Sequence, residues 1–327
     1  MYFIVNAMYL LKQQPEDFLV EEVTNVRSQE EGQFALFWMT KKHLNTEDAL
    51  QRIVNKLQIP RKMIGAAGNK DRTAVTKQLI SIHAVVKERA EKLNIMNLKL
   101  EFYGYSDKPL SLGDLKGNAF RIITRNLNPW EKPKPLNKMV NYFGEQRFST
   151  HNADIGKLLV KKDFKQAMKL VVESKSHVSQ HIEEHLKRRK NDYVGALHKI
   201  PPKILKLYVH SYQAKLFNEL AAYCVEHKLR FEKLPLIGFG SELKGKIGEL
   251  MEKIMKREEV GLRDFIIREI PELSSEGGER DLHVEIQKLK MGAAEDDELN
   301  LRKKKTLIEF TLPKGSYATE AVRQMME

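Results

Sequence analysis

Residues 65 to 78 read Gly65-Ala-Ala-Gly68-Asn-Lys70-Asp71-Arg72-Thr-Ala-Val75-Thr-Lys-Gln78, with one carboxylate, Asp71. The glycine-bearing segment is too short and flexible to continue the preceding helix. Gln78-Leu-Ile-Ser-Ile82, rich in β-branched residues, then suits a strand. Asp71 is thereby placed on a loop feeding a strand, where a rigid scaffold can hold a reacting group. Flanked by Lys70 and Arg72, its carboxyl is expected to stay ionised, as a nucleophile or base requires. The same residues also make an ordinary turn aspartate between solvated cations, and local sequence leaves both readings open.

Working outward, Asp17 to Val23 and Phe34 to Lys41 read as strands, the second with Phe34, Leu36 and Trp38 on alternate positions. Asn45 or Thr46 is expected to cap a helix with Glu47 and Asp48 in its first turn, and Pro60 ends it. Downstream, a helix near Val86 to Leu93 leads to strands at Leu98 to Tyr105 and Phe120 to Thr124. Pro129 to Pro135 is a turn-rich connector, after which a helix is expected to deliver Asn141 to Phe148. From about Lys157 to Pro271 amphipathic helices follow one another with little strand signal; Tyr208 to Lys228 is the clearest, with Val209, Tyr212, Leu216 and Leu220 at helical spacing. Strand patterns return at Val284 to Leu289 and Thr306 to Leu312, and a short helix starts near Thr319. Strands at both ends with helices between them predict an α+β fold. A mixed, largely antiparallel sheet would be built from residues 1–156 and 281–327, with a mainly helical domain, residues 157–280, inserted into it.

The 327 residues carry 56 Lys and Arg against 44 Asp and Glu, a net charge of +12 that suits a polyanionic partner. Cys224 is the only cysteine, which excludes an intrachain disulfide and a cysteine zinc site and suggests a reducing, cytoplasmic compartment. Met1 to Leu11 lacks a basic leader and reads as an opening strand, and no apolar run is long enough for a membrane span. His181-Ile-Glu-Glu-His185 has the His-x-x-Glu-His form, but lies in a highly charged helix with no evident third ligand. Gly240 to Lys246 imitates a phosphate loop, yet Ile247 stands where Ser or Thr must bind Mg²⁺, and no strand is expected before it. Glu295 to Glu298 and Arg302 to Lys305 read as a solvated hairpin link.

Gly-x-Lys-Asp71 followed by Ala-Val-Thr and Gln78 resembles the catalytic loop of the TruD family of transfer RNA pseudouridine synthases, with Asp71 at the position of the essential aspartate. Five further blocks resemble family segments in the family's order: Lys12-x-x-Pro15-Glu-Asp-Phe18-x-Val20-x-Glu22, Gly117-Asn-Ala-Phe120-Arg, Asn141-Tyr-Phe-Gly-x-Gln146-Arg-Phe148, Leu216-Phe-Asn218 and Leu312-Pro-x-Gly315-Ser-Tyr-Ala-Thr319. Ser149 departs from the glycine usual after Gln-Arg-Phe.

The resemblance implies a pseudouridine synthase catalytic domain with an inserted TRUD domain, together forming a basic cleft for tRNA, and isomerisation of uridine 13. Neither metal nor small-molecule cofactor is implied; the chain is expected to act as a monomer. Asp71 would attack ribose C1′ or remove the C2′ proton, routes that sequence does not separate. Phe18, Asn141 and Tyr317 would line the substrate pocket, and Phe143 would stack on the flipped base. Lys12, Glu21 and Arg147 are further candidates, Lys12 or Arg147 for phosphate or for orienting Asp71. The alternatives are another tRNA or RNA uridine, or a catalytically inert RNA-binding protein.

Overall fold

The computed structural model describes residues 9–175 and 178–327. The opening strand expected over Met1 to Leu11 therefore falls mostly outside the described residues. The chain forms two compact units, one of residues 1–139 and 285–327 and one of residues 140–284.

In the first unit the chain runs through β1 (Phe18–Val23), β2 (Phe34–Lys42), α1 (Thr46–Leu57), β3 (Ile64–Ala66), β4 (Val75–His83), α2 (Lys87–Glu91), β5 (Leu98–Ser106) and β6 (Gly117–Leu127). β7 (Lys138–Val140) follows, and the second unit carries α3 (Glu145–Phe148), α4 (Asn152–Val160), α5 (Phe164–Glu173), α6 (Ser179–Arg188), α7 (Tyr193–Leu197) and α8 (Pro202–Glu226). Then come β8 (Lys233–Leu236), α9 (Gly245–Glu258), β9 (Gly278–Asp281) and β10 (His283–Glu285), which pairs with β7. β11 (Gln287–Met291), β12 (Glu295–Asp296), β13 (Lys304–Pro313) and α10 (Ala318–Met326) complete the first unit.

Among the described residues nine strands form one sheet in the order β11-β13-β6-β1-β4-β2-β5, with β12 added to β13 and β3 to β4. The β1–β4 pair is parallel. The other pairings, including β13 on β6, are antiparallel. This is the mixed, largely antiparallel sheet expected, completed by the final strands. β2 is buried on both faces: Ala35, Phe37 and Met39 pack with Leu50, Ile53 and Leu57 of α1, while Leu36 packs with Leu79 and Leu110. The intervening positions, not Phe34 and Trp38, are the better buried set, because α1 covers their face. Asn45 caps α1, its side-chain oxygen accepting the Asp48 N–H at 2.8 Å.

In the second unit α8 is the central helix, with Leu205, Val209, Tyr212, Leu216, Phe217, Leu220 and Cys224 all buried. It begins at Pro202, earlier than the sequence pattern suggests, because proline is tolerated in a helix's first turn. α4 lies so close that a Cβ at Gly156 would stand 2.0 Å from the Tyr208 carbonyl oxygen. β8, which pairs antiparallel with β9, escapes the periodicity because it is short and contains Pro235. It also corrects the expectation that no strand precedes Gly240; the phosphate-loop reading still lacks the Mg²⁺-binding hydroxyl at Ile247. A second correction concerns Asn141: no helix delivers it. It follows β7, its N–H donating to the Leu282 carbonyl at 2.8 Å, and the helix starts only at Glu145.

A third correction concerns the link Glu295 to Glu298, which is not simply solvated. Asp297 is buried against Arg125 (2.7 Å), itself 1% exposed, which also donates to Asp17 at 2.9 Å and Glu298 at 3.0 Å. Burial works against the guanidinium's charge, but the three carboxylates outweigh it and hold its pKa above the usual arginine value. Bonded to Arg125 and Lys305, Glu298 is driven down to about 2.

Candidate active site

Asp71 lies on the loop between β3 and β4, as the punctuation of the sequence implies. The β3 end is tightly placed, since a Cβ on Gly65 would meet the Leu110 carbonyl oxygen at 2.3 Å. Three side chains from three elements then fasten the loop backbone. From α1, Thr46 accepts the Lys70 N–H at 2.9 Å and donates its hydroxyl to Gln78 Oε1 at 3.0 Å. Gln78, on β4, donates to the Gly68 carbonyl at 2.9 Å. Lys41, on β2, donates from Nζ to the carbonyls of Leu44 (2.6 Å), Asp71 (2.9 Å) and Lys70 (3.3 Å).

The carboxylate is met by a residue far away in sequence. Lys12 Nζ donates to Asp71 Oδ2 at 2.5 Å and stands 4.3 Å from the centroid of the Phe18 ring. Lys12 reaches there with a left-handed backbone, φ +57°. Phe18 sits edge-on to Phe120 at 6.2 Å and is 3% exposed. Three candidates, Lys12, Phe18 and Asp71, thus form one cluster in the first unit.

Of the two flanking cations, Lys70 has a partner other than Asp71. Lys70 turns its ammonium to Glu22, 3.2 Å away, with both side chains buried. Burial raises the Glu22 carboxyl pKa, partly offset by that ammonium. Glu21 projects to the opposite face of β1, paired with Lys77 at 3.6 Å, so the structure does not gather it with Asp71. Tyr317 is half-buried, and its carbonyl accepts the N–H groups of Glu320 and Ala321 in α10.

Asn141, Phe143 and Arg147 come together within the second unit. Asn141 is 4% exposed; its Oδ1 accepts from Arg280 at 2.6 Å and its amide donates to the Asp281 carbonyl at 3.2 Å. The Arg280 guanidinium also lies 4.1 Å from the Phe143 ring centroid, with the Arg147 guanidinium at 5.8 Å. Phe143 is held from both ends of its peptide: Asn218 accepts its N–H at 2.8 Å and donates to its carbonyl at 2.9 Å. Phe217 meets the same ring edge-on at 5.5 Å. The Leu216-Phe-Asn218 block therefore has a physical task, presenting the Phe143 segment in one fixed conformation.

Three comparisons bear on this arrangement. The family model described as tRNA pseudouridine synthase D (TruD) matches residues 7–184, 173–234 and 220–325. The chain belongs to the TruD family. Among relatives, tRNA pseudouridine synthase D of Aquifex aeolicus is 28% identical, covering 96% of this chain and 97% of its own. The Methanosarcina acetivorans protein of that name is 29% identical over 97% of this chain and 92% of its own. A crystal structure of the Methanosarcina mazei TruD superposes with a TM-score of 0.73 at 28% identity, covering 97% of this chain and 93% of that one. Membership makes the chain a tRNA pseudouridine synthase, an isomerase.

Ser149, where the chain departs from the TruD pattern, adopts φ +46° and ψ −149°, a region that favours glycine. Local sequence reading missed Lys41, Glu22 as a buried partner of Lys70, and Arg280. Lys41 did leave a signal, since it is in phase with the buried Phe37 and Met39 of its strand. In the zinc-like motif, His185 pairs with Asp192 at 2.9 Å. Among the described residues no group of three or more His, Cys, Asp or Glu is placed to hold a metal, and no helix is long and apolar enough to cross a membrane.

Proposed function

We propose that Asp71 is the catalytic carboxylate of this synthase and that the substrate is uridine 13 of tRNA. The observation that carries the reading is the cluster of Lys12 on Asp71 Oδ2 at 2.5 Å with the same ammonium over the Phe18 ring at 4.3 Å. One carboxylate is held at a defined point beside an aromatic wall, on a loop whose backbone is fastened by Lys41, Thr46 and Gln78.

Pseudouridine formation breaks the bond from uracil N1 to ribose C1′, turns the base and rejoins it through C5, whose proton is then lost while N1 takes one up. The reaction is an isomerisation, so atoms and electrons balance without an added reductant. Asp71 either attacks C1′ or takes the C2′ proton. In the first unit Lys12 holds the carboxylate in place until substrate enters, and Phe18 and Tyr317 present aromatic surface to the nucleoside. In the second unit Asn141 offers a fixed amide to a uracil edge and Phe143 a face for a base. Such stacking contributes about 1–3 kcal/mol per base. The net charge of +12 supports a tRNA partner, and the single buried thiol of Cys224 supports a reducing, cytoplasmic setting.

The test is tritium release from tRNA transcript labelled at uridine C5. The native chain should release tritium, Asp71→Asn none above background while still binding tRNA, and a transcript with cytidine at position 13 should release none from that site. Unchanged release by Asp71→Asn refutes the assignment of Asp71. Release that survives the position-13 replacement moves the target to another uridine. No release from the native chain, with tRNA still bound, favours the inert binder.

A further inference from the structure

We infer that Lys41 is a positioning residue for the reaction, its buried ammonium clamping the Asp71 loop by its backbone carbonyls. The inference rests on the assignment of Asp71 and adds what fixes it.

Lysine is rarely buried without a partner, yet Lys41 is 0% exposed on a strand whose neighbours on that face are core residues. Its three N–H groups meet three carbonyl oxygens, those of Leu44, Lys70 and Asp71, at 2.6 to 3.3 Å. Two of the three belong to the loop itself, one of them the peptide carbonyl of Asp71. No carboxylate is paired with Lys41 among these bonds; the site attracts the ammonium with backbone dipoles, which are strong acceptors in a low-dielectric surrounding.

The charged groups around it are Asp71, with Lys12 on its carboxylate, and Lys70, with Glu22 on its ammonium. Its cross-strand partners, Thr76 on β4 and Leu98 on β5, are uncharged, as is Thr46 of α1. Burial pushes the Lys41 amine down to about 8, the Asp71 charge working against that shift and Lys70 with it. A neutral amine has two N–H groups for three carbonyls, so the clamp loosens as pH rises through that value. Thr46 and Gln78 still hold the Lys70 N–H and the Gly68 carbonyl. The expected result is therefore a displaced Asp71, not an unfolded loop.

The experiment is the single-turnover rate of tritium release against pH for the native chain, Lys41→Met and Asp71→Asn, with tRNA binding measured for each. Lys41→Met fills a similar volume without donors. Its rate at neutral pH should fall about 10- to 100-fold, as expected for a misplaced reacting group, with the tRNA Kd within about twofold of native. The native rate should decline on an alkaline limb near pH 8, and Lys41→Met should lack that limb. The uracil N3–H also titrates in alkali, but a limb arising there persists in the variant. A Lys41→Met rate within about twofold of native, or a limb that stays in place, overturns the inference. If Lys41→Met does not fold, the ¹³C shifts of the Lys70 and Asp71 carbonyl carbons in the native chain decide, followed against pH. A change of both near pH 8 supports the clamp, and pH-independent carbonyl shifts overturn it. That measurement needs no turnover, so failure of the Asp71 assignment and failure of the clamp are told apart.

Discussion

Replacing Arg125 by Met should destabilise the first unit by about 3–4 kcal/mol and slow tritium release along with it. The magnitude follows from what the guanidinium leaves behind. Asp17 and Asp297 are fully buried carboxylates at 2.9 and 2.7 Å, whereas Glu298, half in solvent, contributes little. Removing one side of a buried ion pair costs about 3–5 kcal/mol. The lower part of that range applies, because Asp297 keeps donors from Asn126, Leu299 and Asn300, and Asp17 keeps the Gln14 N–H. For a unit of this size the loss corresponds to a melting shift of roughly 10 °C.

The functional part follows from the chain path. Leu10 is bridged to Arg125 through backbone bonds of 2.9 Å in both directions, and Asp17 to its side chain, so Arg125 ties down both ends of the segment carrying Lys12. Both tryptophans, Trp38 and Trp130, lie in the first unit, so urea unfolding followed by tryptophan fluorescence reports on it. The pH dependence supplies a second check. In the native chain the lowered pKa values of Asp297 and Glu298 give stability that is present above about pH 4. It is lost as pH falls through the folded values, about 2 for Glu298. In Arg125→Met the buried Asp297 lacks its cation and protonates more readily, so the deficit should narrow on acidification. A deficit below about 1 kcal/mol, or one that widens in acid, would refute the reasoning.

Two further outcomes concern the second unit. Ser149→Gly should raise stability by about 1 kcal/mol in urea unfolding, because relief of the φ +46° backbone exceeds the entropy glycine adds to the unfolded chain; an unchanged midpoint counts against strain there. Asn218→Ala strips a donor and an acceptor from the Phe143 peptide and should cost about 2 kcal/mol, with slower single-turnover release; if stability falls without any change in rate, Phe143 has no part in the reaction.

Much of the fold is written in short-range pattern. The alternation in β5, the Asn45 cap of α1, the glycine punctuation before Asp71 and the helical succession of the second unit all depend on residues a few positions apart, where side-chain period and backbone preference act directly. The candidate site was legible where a block of sequence forms one continuous segment, as at Gly65 to Gln78 and Asn141 to Phe148. Its partners were not, except that Lys12 stood among the candidates for orienting Asp71. Lys12 meets Asp71 across 59 residues, Lys41 meets the same loop across 30, and Arg280 meets Asn141 across 139. Which cation reaches which carboxylate depends on strand register and on the face to which each side chain points; Glu21 and Glu22, adjacent in sequence, take opposite faces of β1 for that reason. Composition and period establish what each residue is able to do. Tertiary pairing selects the one neighbour with which it does it, because a charge leaving water takes whichever compensating group the folded backbone brings within a few ångströms.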